Sequence, residues 1–80
     1  MNLYQIETKM SNYQKFFPGD IVRSSLYSRK QGYEFEYQTG IVIQVNKKEY
    51  TNGGISFKYE ILRTGFDNLV SFSDEYLENV

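Results

Sequence analysis

The chain has 80 residues, room for one domain and one core but not for a cleft between two domains. Cysteine and histidine are both absent, which removes disulfides, thiolate and imidazole metal ligands, and the common nucleophilic triads and dyads. Nine basic and ten acidic side chains give a formal charge of −1, far from the strong positive field of an electrostatic nucleic-acid binder.

These exclusions lead us to expect no metal, no cofactor and no enzymatic activity. No apolar run approaches the length of a membrane span, and Met1-Asn2-Leu3-Tyr4-Gln5-Ile6-Glu7 lacks the basic and apolar regions of a signal peptide. The expectation is a soluble cytoplasmic protein with no membrane partner. Eight tyrosines and six phenylalanines are a heavy aromatic load for such a chain. Rings favour strands and bury large areas.

In chain order, Leu3, Ile6, Met10, Tyr13 and Phe17 recur at spacings of three and four, a helical period over an N-terminal arm, residues 1–15. Phe16-Phe17-Pro18-Gly19-Asp20 marks a turn. A first strand follows over residues 21–27, with Val22, Ser24 and Leu26 on one side, and residues 28–32 read as a polar turn. The clearest pattern comes next: Tyr33, Phe35, Tyr37, Thr39, Ile41, Ile43 and Val45 share one parity, the signature of a long strand with those side chains on one face. A strand of that length in so small a domain must bend, and Gly40 is the expected kink or bulge.

A third strand repeats the alternation with Ile55, Phe57, Tyr59 and Ile61, and these two strands should form the centre of the sheet. Between them Asn52-Gly53 suggests a two-residue turn. That register would set the apolar residues of the two strands on opposite faces, so a bulge or a longer loop is required; we expect the longer loop. Residues 64–68 form a second turn and lead into a strand over residues 69–73. Ser73-Asp74-Glu75-Tyr76-Leu77 then has the length of one helical or 3₁₀ turn, with Ser73 placed to cap it, Leu77 placed to fold back on the core and residues 78–80 able to add a last short strand.

Pro18-Gly19-Asp20-Ile21-Val22-Arg23, Gly40-Ile41-Val42-Ile43-Gln44-Val45 and Ser73-Asp74-Glu75-Tyr76-Leu77 together resemble the small SH3-like barrels, including those with a KOW-type opening and short uncharacterised proteins of tailed bacteriophages. The resemblance covers residues 16–80 and implies an all-β fold: a small antiparallel β-barrel of four to five strands with a short 3₁₀ turn. Residues 33–39 interrupt the KOW pattern. For a phage protein the compartment would be the host cytoplasm or the virion.

Three functional readings follow. The first is a non-catalytic adaptor that binds a protein through Tyr27, Tyr33, Phe35 and Tyr37, the region where SH3-like domains carry an aromatic peptide-binding surface. Their parity with Ile41 and Ile43 equally suits a core position. The second is a nucleic-acid binder using Arg29, Lys30 and Arg63 at one end of the sheet. The third is a structural subunit of a larger assembly, such as a virion. Glu34 and Glu36 share a strand face, where outward charges would blunt a sheet edge.

Overall fold

A computed structural model describes residues 13–32 and 38–80. It contains β1 (Ile21–Ser24), a five-residue helix α1 (Leu26–Lys30), β2 (Thr39–Glu49), β3 (Ile55–Arg63), β4 (Leu69–Ser73), a 3₁₀ turn (Asp74–Tyr76) and β5 (Leu77–Asn79). The strands form one antiparallel sheet in the order β4-β3-β2-β1-β5. The fold is therefore mainly β, with β2 at its centre. The helical period expected in the arm falls largely on residues 1–12, outside the described residues.

The register shows that this sheet is curled. Ser73, at the end of β4, pairs with Lys58, which pairs with Asn46 of β2. Leu77, at the start of β5, pairs with Ser24, one step past the Arg23 to Thr39 pair. In a flat sheet these two ends would lie about 19 Å apart across the strands and about 26 Å apart along them. The four peptide units from Ser73 to Leu77 reach at most about 14 Å. Only a strongly bent sheet satisfies both, yet among the described residues no ladder joins β4 to β5, so the expected barrel is curled without hydrogen-bonded closure.

The bend has a visible source in β2. Val42 pairs with Ile61 and Gln44 with Glu60, leaving Ile43 as an extra residue opposite no partner. Such a bulge adds twist and reverses the facing of everything beyond it. Before it Gly40 and Val42 point inward; after it Val45 does. The expectation of one inward parity through residues 33–45 is thus wrong for Ile41 and Ile43, of which Ile43 is 45% exposed while Val42 is 1% exposed.

Gly40 is not the bulge but a close approach. A Cβ there would lie 2.5 Å from Ile61 Cγ2 and 3.0 Å from the Leu62 carbonyl oxygen. The β2–β3 connection is longer than a two-residue turn, as expected, and also bulged. Gly53 N–H donates to the Tyr50 carbonyl (3.0 Å) and Tyr50 N–H to the Gly54 carbonyl (2.8 Å). With Gly53 at φ +87°, a conformation open to glycine, this is a three-residue loop whose register moves one residue from the two-residue alternative. Val45 then faces Tyr59 and the apolar sets coincide.

The first strand is shorter than expected. It ends at Ser24, because Ser25 caps a helix: its Oγ accepts from Ser28 N–H at 3.1 Å. The polar turn expected over residues 28–32 is mostly that helix. The core gathers Phe16, Val22, Val42, Phe57, Tyr59, Ile61 and Leu77, with Val45, Ile55, Val70 and Phe72 packed against it. Phe16 meets Tyr59 edge-on at 5.1 Å, and Lys15 N–H donates to the Tyr59 hydroxyl at 3.0 Å. The 3₁₀ turn falls where the sequence places it, though the Ser73 side chain makes no capping hydrogen bond, and the final strand begins one residue earlier than expected, at Leu77.

Candidate interaction surface

Ser25 does more than cap α1. Its amide donates to the Tyr76 carbonyl at 3.0 Å and its hydroxyl to the Glu75 carbonyl, so the helix is tied along the 3₁₀ turn. This juxtaposition sets Tyr27 of α1 against Tyr76, ring centroids 5.3 Å apart and planes inclined by 53°. Tyr76 in turn lies 6.1 Å from Phe72, which stands opposite Tyr59 on β4. The three rings form a ledge that begins half exposed at Tyr27 and ends against the core at Phe72. Beside it a shallow cleft is lined by Lys58, Ser71, Phe72, Ser73 and Tyr76.

Of the four aromatic residues that sequence reasoning nominated for protein binding, Tyr27 belongs to this ledge. Tyr33, Phe35 and Tyr37 lie outside the described residues. Tyr76 and Phe72 were not nominated. Tyr76 was assigned only to a 3₁₀ turn, and its link to Tyr27 depends on the Ser25 bonds to residues 75 and 76, a contact across fifty positions that no local pattern signals.

The three basic candidates differ in exposure. Arg63 is 7% exposed, with its guanidinium carbon 3.9 Å above the Phe66 ring and Nε without a hydrogen-bond partner among the described residues. Arg29 donates to the Ser24 carbonyl at 2.7 Å. Lys30 alone of the three is exposed.

Among the described residues, the ionisable group with a clear perturbation is the Tyr59 phenol. Burial pushes it above its ordinary value of 10.0; the Lys15 and Phe16 amides act the other way, and the Asp74 carboxylate adds to the rise. Among the described residues, no three Asp or Glu side chains gather as a metal site would require. No helix among them is long and apolar enough to cross a membrane. No protein-family model, curated protein or solved structure matches the chain.

Proposed function

We propose that this protein is a non-catalytic binding module of SH3-like architecture that engages a protein partner through the aromatic ledge at Tyr27. The observation that carries the reading is the Tyr27–Tyr76–Phe72 stack: a half-exposed tyrosine braced by a second ring and backed by the core. Tyrosines held this way make rigid, amphipathic contacts that lose little entropy on binding. The strand order, with β5 returning to β1 directly after a 3₁₀ turn, supports the SH3-like reading.

The test is affinity purification from the native cell with the wild-type chain and Tyr27→Ala as baits. Tyr27 is half exposed, so the variant should keep the wild-type circular dichroism while losing a co-purifying protein. A folded variant that retains every co-purifying protein would refute the assignment of Tyr27.

The nucleic-acid reading has weaker support, because Arg63 stacks inside the chain on Phe66 and Arg29 is engaged with its own backbone. Salt-sensitive binding of RNA or DNA at low ionic strength would revive it.

A further inference from the structure

The start of β3 has an open edge. Hydrogen-bonded and non-hydrogen-bonded pairs alternate along an antiparallel ladder. Tyr50 N–H bonds the Gly54 carbonyl at 2.8 Å, so Glu49 with Ile55 and Lys47 with Phe57 are non-hydrogen-bonded pairs. The backbone groups of Ile55 and Phe57 therefore point away from β2, toward the side that β4 covers. β4 covers it only as far as the Lys58–Ser73 pair, because Ser73 leads straight into the 3₁₀ turn. Beyond that pair, the Ile55 N–H and carbonyl and the Phe57 N–H meet no strand among the described residues.

Ile55 and Phe57 line a cleft of about 380 Å³ together with Tyr50, Asp74 and Glu75. Native sheets blunt their open edges with charge, proline or a bulge. Ile55-Ser56-Phe57 has none of these. The adjacent Lys58 is drawn onto Ser73 at 3.2 Å, and Ser56 is held by the Tyr50 hydroxyl at 3.2 Å. Asp74 and Glu75 take part in no ion pair among the described residues.

We propose that this edge receives an extended segment of a partner protein, one that carries a lysine or arginine near an apolar residue. Laid antiparallel to β3, the segment exchanges a pair of backbone bonds with Ile55 and accepts another from Phe57 N–H, continuing the sheet where β4 leaves it. The residue opposite Ile55 shares its face. Ile55 packs against the core there, so an apolar side chain extends that packing. A basic side chain at the end of the segment meets the carboxylates of Asp74 and Glu75. The ladder supplies affinity and the acidic pair selects the sequence. None of these groups belongs to the Tyr27 ledge, and the proposal does not depend on it.

Nuclear magnetic resonance of the full chain tests this, with the peptide acetyl-Lys-Val-Thr-Val-Thr-Val-Lys-amide as the probe. In the free chain the Ile55 and Phe57 amides should exchange with solvent faster than that of Tyr59, which lies inside the β3–β4 ladder. Peptide at up to about 1 mM should shift the two amides and slow their exchange. Glutamates in place of the two lysines should weaken binding at least about fivefold at low salt. The same peptide N-methylated throughout should not bind. Ile55→Pro removes a donor that faces away from β2 and should weaken binding at least about tenfold. Thermal melts report whether that variant folds; should it fail, the N-methylated peptide on the wild type decides. Protection of both amides in the free chain, no shift at 55 and 57 with peptide, or equal binding by the N-methylated or glutamate peptide would each overturn the proposal. Dilution-dependent shifts of the same amides without peptide would name a second copy as the occupant and overturn it too.

Discussion

Adjacent residues Val42 and Ile43 provide a sharp comparison, because simple alternation assigns them to the wrong faces. Val42 is 1% exposed within the core and Ile43 is 45% exposed at the bulge. Val42→Ala removes two methyl groups from a closed environment. At about 0.8 kcal/mol for each buried group, plus the cavity left behind, the loss should be about 2–3 kcal/mol. Ile43→Ala deletes a larger side chain, but one that is half in water and leaves no enclosed void, so it should cost under about 1 kcal/mol. Urea denaturation of the two variants and the wild type measures the difference directly, provided that the slopes agree. If Ile43→Ala is as costly as Val42→Ala, Ile43 is a core residue and the bulge is misplaced.

Three other perturbations probe separate parts of the fold. Gly40→Ala drives a methyl group into Ile61 and the Leu62 carbonyl and should destabilise by about 1–3 kcal/mol, seen as a lowered melting temperature. Tyr59 makes stability depend on pH at the alkaline end. Its folded pKa is raised, so its contribution is complete below about pH 10, the unfolded value, and is lost as pH rises through the folded value. Tyr59→Phe should flatten that decline in denaturation curves measured between pH 9 and 11 while costing about 1 kcal/mol at neutral pH, where the Lys15 amide loses its acceptor. Ser25→Ala removes the cap of α1 and its bond to Glu75, and should cost about 0.5–2 kcal/mol by chemical denaturation. A neutral result would mean that α1 does not depend on its cap.

The sequence made β3, β4, the 3₁₀ turn and β5 legible for a physical reason. Phe57, Tyr59 and Ile61 alternate with polar neighbours, so one face is unambiguous, and Ser73 followed by Asp74 and Glu75 breaks the strand where the structure breaks it. The stretch Ile41-Val42-Ile43 is different: it is apolar at every position, and periodicity cannot distinguish two inward-facing isoleucines from one inward-facing valine. The bulge hides in that run. α1 was hidden because a five-residue helix with Leu26 and Tyr27 exposed has no apolar stripe to reveal it; the Ser25 cap was its one local mark. Arg63 read as a surface cation because burial of an arginine over Phe66 depends on a turn, residues 64 and 65, that folds the ring beneath it. The candidate site was legible at Tyr27 and not at Tyr76, since the pairing of the rings is made by tertiary contacts.

Binding through the Tyr27 ledge is tested most directly by calorimetric titration of the captured partner, once purified, into the wild-type chain and into Tyr27→Ala of unchanged fold. A braced aromatic at the centre of an interface contributes about 2 kcal/mol or more on truncation, so the variant should bind at least about thirtyfold more weakly. Equal affinity for the two proteins would contradict the account.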